Sequence, residues 1–527
     1  IHSAEITADQ LQRVHQQLSA YKTKYFDRFS TKNLLRLNQL ISIANRFAKF
    51  MTKSNGSKDT AETNGEFISQ MVFTHDLLDD LNVAHGNLYE ILKFCDETRL
   101  AQKIGGFALR YTDLEVILKP AEIERTAKQK QLAYLQQLVE KQQNKDKKKS
   151  NVPEANIEPV KPVENVNRLG SASVIRTFLG FLETLLEKSS DGRILISKHR
   201  TLPSKSFIKY LLLNASEPFE ALVNECRTII VAGGTMQPTT EFTTQLFQNF
   251  QHRIEEHFYG HVVASEAILP MVIAKGPRNS SFLFNYANRG NTNMMADLSM
   301  VLQNVCNVIP AGIVCFFSSY DTMEQFYKYL TDNKQLDKIE LKKKIFKESR
   351  TGGGQQTERM LTDYAKVIKT SAKCMEPGAI TGALMMSVVG GKLSEGLNFS
   401  DDLGRCVCVV GLPFPNKTSP ELSEKMKYLD KIATEPKSTE THVTQTFSSG
   451  EYYENLCMKA VNQCIGRAIR HINDYATVLL IDERYQQDRI QKKLPNWIRT
   501  SLKVPVNFGG VQSSLVRFFR EKKTIGQ

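Results

Sequence analysis

Residues 381–399 read Thr381-Gly-Ala-Leu-Met-Met-Ser-Val-Val389 and then Gly390-Gly391-Lys392-Leu-Ser-Glu395-Gly396-Leu-Asn398-Phe399. An apolar run without polar alternation suits a strand buried on both faces, and glycines at its end mark a turn. The pattern recurs. Ala311-Gly-Ile-Val-Cys-Phe-Phe317 ends in Ser318-Ser319, Arg405-Cys-Val-Cys-Val-Val410 in Gly411, and Ala476-Thr-Val-Leu-Leu-Ile481 in Asp482. Arg227-Thr-Ile-Ile-Val-Ala232 ends likewise in Gly233-Gly234-Thr235. Runs of this kind, separated by helical stretches, predict an α/β fold built on a parallel sheet. Its functional groups are expected just past the carboxyl ends of the strands.

Upstream the patterning changes. Leu11, Val14, Leu18, Tyr21 and Tyr25 recur at helical spacing, as do Leu35, Leu37, Leu40, Ile41, Ile43 and Phe47. A polar break covers residues 52–64, and helices are expected again from Phe67 to Phe94. From about 127 to 169 the chain is rich in Lys, Gln and Pro, which predicts a disordered insertion. Its Lys141–Lys149 tract is read either as a solvated charged segment or as a tether for nucleic acid or nuclear import.

Composition narrows the class. With 527 residues, several domains are expected. Sixty-nine basic against 56 acidic residues give a net charge of +13, which suits a polyanionic partner. No apolar run approaches the roughly 18 residues of a membrane span. The nine cysteines form no CxxC pair, so reduced, buried thiols are expected and not a disulfide framework or metal centre. No HExxH motif occurs among the ten histidines.

Two stretches carry candidate chemistry. In Gln463-Cys-Ile-Gly466-Arg467-Ala-Ile-Arg470, apolar residues fill one half of a helix, and Gln463, Arg467 and Arg470 form a stripe on the other. Two guanidinium groups spaced i, i+3 can converge on one phosphate, and Gly466 removes bulk where a partner approaches. The alternative is an amphipathic helix with surface arginines. Residues 391–399 could hold a ribose or phosphate through Lys392, Glu395 and Asn398, or could be a plain strand-to-helix loop. Two look-alikes fail. Gly390-Gly391-Lys392 lacks the first glycine of a P-loop, since residue 386 is Met, and Leu393 stands where Ser or Thr must hold magnesium. Val478-Leu-Leu-Ile-Asp482-Glu483 has no P-loop in this chain to serve, and Tyr485 breaks a DEAH box.

Taken in order, these elements resemble the XPD-like branch of superfamily 2 helicases. Gly233-Gly234-Thr235-Met236-Gln237-Pro238 looks like motif III and Ile313 to Tyr320 like motif IV. Gly391 to Phe399 looks like motif V, and Gln463 to Arg470 like motif VI. The wording of the first and third is most similar to the ChlR-type helicases linked to sister-chromatid cohesion.

The resemblance implies a RecA-like lobe preceded by a helical Arch-like insertion and the end of a first RecA-like lobe. Residues 1–204 are then Arch-like, 205–240 the end of lobe one with motif III, and 241–527 lobe two with motifs IV, V and VI. The sequence reads as a C-terminal part lacking the P-loop, the four cluster cysteines and the DEAH box. Its parent is expected to be an ATP-dependent, nuclear DNA helicase of chromosome cohesion, replication or repair, and the chain alone is expected to be inactive. ATP and Mg2+ are implied cofactors, with a 4Fe-4S cluster in the missing part only. Implied partners are DNA (single-stranded tracks, forks, structured DNA) and cohesion or replication proteins. Unwinding is expected 5′→3′.

By the same resemblance, Arg467 and Arg470 act as arginine fingers on the γ-phosphate, and Gln463 positions water or phosphate. Gly234, Thr235, Glu395, Gly396 and Asn398 bind nucleotide or couple it to DNA. Asn398 stands where the wider family often has Asp. Ser318, Ser319, Tyr320 and Lys392 contact nucleic acid. An RNA helicase and a non-catalytic nucleic-acid-binding scaffold are the competing readings.

Overall fold

Short connections and long ones sort the strands into two sheets. The computed structural model describes residues 3–53, 62–64, 66–83, 87–110, 168–186, 190–373, 378–393, 399–434, 447–469 and 471–525. The Lys-rich tract and nearly all of the predicted insertion lie outside them, as do Glu395, Gly396, Asn398 and Arg470. The described chain divides into two units, 1–215 with 418–424, and 216–417 with 425–527.

In the first unit, β1 (Ser3–Thr7), β2 (Glu62–Asn64), β3 (Phe67–Phe73), β4 (Gly192–His199) and β5 (Phe207–Leu212) form one sheet. It is antiparallel throughout, in the order β1-β5-β4-β3-β2. Only seven residues join β4 to β5, too few to cross back for parallel pairing, so the chain must return antiparallel. Along β5, Ile208, Tyr210 and Leu212 are buried while the residues between them are half-buried. The helices Ala8–Lys24, Thr31–Thr52, Leu88–Glu97 and Arg168–Leu186 complete the core, with Phe47 edge-on to Phe178 and Phe181. Thr7 starts the first of them with a capping box to Gln10. On the sheet, Lys209 and Arg193 each pair at 3.0 Å with Glu421 and Glu424 of the 418–424 segment.

Two expectations change here. Helical spacing is correct for 8–24 and 31–52, but Phe67–Phe73 is a strand, its backbone paired antiparallel with β4. Residues 207–212, read as part of a RecA-like lobe, belong to this antiparallel sheet, because their apolar alternation has period two and β4 lies directly upstream.

The second unit carries the parallel sheet. Its strands are β6 (Ile268–Val272), β7 (Ala311–Phe317), β8 (Lys343–Lys347), β9 (Gly382–Val388), β10 (Cys406–Val410) and β11 (Ala476–Ile481). All pair parallel, in the order β6-β11-β10-β7-β9-β8. Every residue of β6, β9, β10 and β11 is buried, as their unbroken apolar runs require. The helices Thr292–Val308, Tyr320–Asp332 and Phe508–Ile525 cover one face and Gly354–Ser371 and Ser449–Ile465 the other, giving two apolar layers around the sheet. All eight described cysteines are free and seven are buried.

One predicted strand is absent. Residues 227–232 run irregular and exposed, with Ile230 85% exposed. Among the described residues no strand lies beside this segment to pair with, so its apolar run stays uncovered.

Candidate nucleotide and nucleic-acid site

The register of the parallel sheet aligns its carboxyl ends. Val410 lies opposite both Phe317 and Ile481, and Phe317 lies opposite Val388. Strands lie about 4.8 Å apart, so the residues that follow them form a row: Asp482, Gly411, Ser318, Val389 and, after β8, Glu348.

Ser318, Ser319 and Tyr320 make the turn from β7 into the Tyr320–Asp332 helix, and all three are half-buried. Ser319 is the N-cap. Its Oγ accepts from the Thr322 amide at 3.2 Å and lies 2.9 Å from the Thr322 hydroxyl. The Tyr320 hydroxyl donates to Glu348 Oε1 at 2.8 Å. Burial pushes that phenol up to about 12, helped by the Glu348 charge and opposed by Arg350. Both hydroxyls are therefore engaged within the protein. What the turn still presents is the Ser318 side chain and the amide end of a 13-residue helix.

Past β9, Gly391 is buried and Lys392 is exposed, with Lys392 Nζ donating to the Gly352 carbonyl. Arg350, from the same 348–353 segment, pairs with Asp321 at 2.9 Å and lies 5.6 Å from the Tyr320 ring centroid. The turns after β7, β8 and β9 are thus tied together by polar contacts.

The arginine stretch lies differently from the expected stripe. The Ser449–Ile465 helix starts at the Ser448 cap and stops at Gly466, whose amide bonds to the Asn462 carbonyl at 2.9 Å. Arg467 and Ala468 follow in tight turns on the Cys464 and Ile465 carbonyls. Gln463 is thus exposed on the last helical turn and Arg467, half-buried, projects from the turn beyond it. The glycine breaks the helix, so the two residues share no helical face. The apolar half is as expected: Val461, Cys464, Ile465, Ala468 and Ile469 are buried. Burial pushes the Cys464 thiol up to about 12, with the Arg467 guanidinium opposing.

Motif III lies against this helix end. A Cβ on Gly466 would come within 3.0 Å of Thr235 Cγ2, so any other residue there would push the Thr235 methyl aside by a few tenths of an ångström. Three contacts fasten that segment and its continuation. Asn462 Nδ2 donates to the Gln237 carbonyl at 2.9 Å, Asn455 Nδ2 to Thr240 Oγ1 at 2.8 Å, and Lys459 pairs with Glu241. Gly234 is exposed beside Thr235. An open cavity of about 910 Å³ adjoins the segment, lined by residues that include Thr235, Phe242, Phe258 and Trp497.

The rejected Walker B look-alike has a structural role. Asp482 is fully buried and accepts from the Phe284 amide at 3.0 Å and from Arg484 Nε and Nη2 at 2.8 and 2.9 Å. His471 pairs with Asp401 at 2.7 Å, at the amino end of the sheet.

Sequence reasoning missed Glu348 and the two helix asparagines. A carboxylate directly after a strand was a usable signal for Glu348, but the strand reads Lys-Lys-Ile-Phe-Lys and is masked by its charges. Asn455 and Asn462 sit seven apart on one helix face, which is readable only as an exception to an apolar pattern.

The fold and the positions of these turns define a RecA-like lobe, and residues 302–501 match the helicase C-terminal domain family. Over nearly its whole length the chain is similar to proteins named ATP-dependent DNA helicase. It is 37% identical over 526 residues to DDX11 of Danio rerio and 35% over 525 to DDX11 of Mus musculus. With chl1 of Schizosaccharomyces pombe it shares 32% over 523 residues. Each alignment covers 99% of this chain but only 55–56% of the relative, so the chain spans about half the length of the curated relatives it matches. The solved structure of S. tokodaii Xpd4 aligns over 96% of this chain and 72% of its own, at 13% identity and a TM-score of 0.43.

Proposed function

We propose that this chain supplies the second RecA-like lobe and the Arch-like region of an ATP-dependent DNA helicase. The 37% identity to a protein of that name along 99% of the chain carries the reading. The packing of Thr235 on Gly466, next to Arg467, supports it locally. In this reading residues 1–204 are Arch-like together with the 207–212 strand, the rest of 205–240 ends lobe one, and 241–527 form lobe two.

Arg467, with Arg470, reaches the γ-phosphate from the helix end and stabilises charge that builds in the transition state. Fingers of this type contribute about 10³–10⁵-fold in related NTPases. Gln463, one turn back, positions water or phosphate. Thr235 reports closure to the strand-end row, where Ser318, the Ser319–Tyr320 amides and Lys392 meet a phosphate backbone without reading bases. Glu395, Gly396 and Asn398 couple the two sites.

These 527 residues contain no P-loop, so triphosphate and Mg2+ fall to residues outside this sequence, and the chain alone turns over no ATP. Among the described residues no cysteine belongs to a group that could hold a metal, so a 4Fe-4S cluster finds no ligand set there. Cys306 and Cys457 are buried and pushed up to about 12, so they stay protonated inside the core. A nuclear enzyme acting 5′→3′ on forks and structured DNA, with cohesion or replication proteins as partners, completes the reading.

The test is DNA-stimulated ATP hydrolysis by the complete gene product, wild type beside Arg467→Ala, with nucleotide binding as control. Turnover falling by about 10³ with binding retained is the expected result. Near-normal turnover in the variant removes Arg467 from the mechanism, and an inactive wild type removes the motor reading.

A further inference from the structure

Glu348 stands out among the buried charges of the parallel sheet. It is 1% exposed, and its carboxylate accepts from three donors on two neighbouring strand ends. Tyr320 Oη donates at 2.8 Å, Ser387 Oγ at 2.6 Å and the Val388 amide at 3.1 Å. Its own amide bonds to the Met386 carbonyl at 2.9 Å, which fixes the backbone from which the side chain reaches. Among the described residues no Lys or Arg nitrogen lies within ion-pair distance of it. A buried carboxylate held by hydroxyls and an amide is a rigid acceptor, since each donor it loses leaves buried charge unsatisfied.

The second observation is steric. A Cβ on Gly391 would come within 2.7 Å of Glu348 Oε1 and 2.9 Å of the Val388 carbonyl. The turn at 389–391 is therefore folded directly over the carboxylate. One side chain touches both turns to which a nucleic-acid role is given.

We propose that Glu348 is a positioning residue for nucleic-acid binding, holding the 318–320 turn and the 389–392 turn in one fixed relation so that both meet the same phosphate backbone. This rests on the reading of those turns as the nucleic-acid contact. It also reassigns Tyr320. Its hydroxyl is engaged as a hydrogen-bond donor to Glu348, so Tyr320 acts by anchoring the helix amide end and not by touching phosphate.

Binding of fluorescein-labelled oligo(dT) to the chain, followed by anisotropy across a salt series, tests this. The variants are Glu348→Gln, Tyr320→Phe and the double variant, each checked for an intact thermal transition. Glu348→Gln is expected to weaken binding about tenfold and Tyr320→Phe, which removes one oxygen, about threefold. The double variant should be no worse than Glu348→Gln, because both act through one contact. The dependence of log Kd on log salt should keep its wild-type slope, since no phosphate contact is removed. Unchanged affinity in both single variants, or losses that multiply, overturns the proposal. A larger loss in Tyr320→Phe than in Glu348→Gln also does so, by making the phenol a contact in its own right. No binding by the wild-type chain overturns the nucleic-acid reading itself, and is distinguishable because it needs no variant.

Discussion

The two ends of the parallel sheet bury charge in different ways. At the amino end, charges meet opposite charges or framework carbonyls. Arg405 Nη1 lies 2.8 Å from Asp474, which is 1% exposed, and its Nε and Nη2 reach Asp402. The guanidinium also stacks on the Tyr475 ring at 3.9 Å. Asp401 and His471 adjoin this group, and Arg405 already supplies the cation that the carboxylates require. Lys343 Nζ donates to the Ala311 and Thr381 carbonyls, at the starts of β7 and β9. At the carboxyl end, Asp482 takes both the Arg484 guanidinium and the Phe284 amide, whereas Glu348 takes only O–H and N–H donors, from the turn after β7 and the end of β9. The amino end closes the sheet, whereas the carboxyl end arranges loops. Substitutions at the first should act on stability, and at the second on loop placement as well.

The largest effect is expected at the amino end. Arg405→Ala would take from buried Asp474 its guanidinium partner, at a cost of about 3–5 kcal/mol. Urea unfolding of the sheet unit measures this, and a loss below about 1 kcal/mol would erase the contrast. At the other end, Asp482→Asn keeps shape but weakens the charge-assisted bonds to Arg484 and Phe284, with about 1.5–3 kcal/mol expected. If Asp482→Asn costs more than Arg405→Ala, the division between the two ends is wrong. Gly391→Ala is expected to cost about 1–3 kcal/mol, because Glu348 and the Val388 carbonyl must give way. Here the sharper readout is oligo(dT) affinity, which should fall alongside stability. A stable variant with wild-type affinity would detach the 389–392 turn from Glu348.

The same contrast explains what the sequence revealed. Strands β7, β9, β10 and β11 are unbroken apolar runs, and a period-free pattern of that length has few other uses in a soluble sheet. β8 escaped notice, since three of its five residues are lysines and only Lys343 is fully buried. The 227–232 run misled for the opposite reason: apolar residues specify a strand only where another strand is available to pair. Gln463, Gly466 and Arg467 stand out by residue type and spacing. The helix break at Gly466 does not, because the apolar half continues through Ala468 and Ile469 as though the helix did too. Glu348 matters through what Tyr320, Ser387 and Gly391 bring to it, and residues 28 to 43 positions apart give no local signal.

The smallest expected effect concerns Lys343. Burial lowers its pKa from 10.5 to about 8, partly offset by the thiols of Cys306 and Cys406. The sign follows from proton counting. Between the folded value near 8 and the unfolded value near 10.5, the unfolded chain binds a proton that the folded sheet has released, so stability rises with pH. Below 8 both states are protonated and the penalty of a buried ammonium is fully present. From pH 8 to 9 the gain is at most about 1.4 kcal/mol. Lys343→Met should flatten that rise while removing one donor from each of the Ala311 and Thr381 carbonyls, so its stability at pH 7 reflects two opposed changes and only the slope is diagnostic. Urea midpoints at pH 7, 8 and 9 for both proteins provide it. Equal slopes would mean that Lys343 stays charged in the folded sheet up to pH 9, held there by the two carbonyls, and the amino end would then contain a buried charge as fully satisfied as Glu348 is at the other.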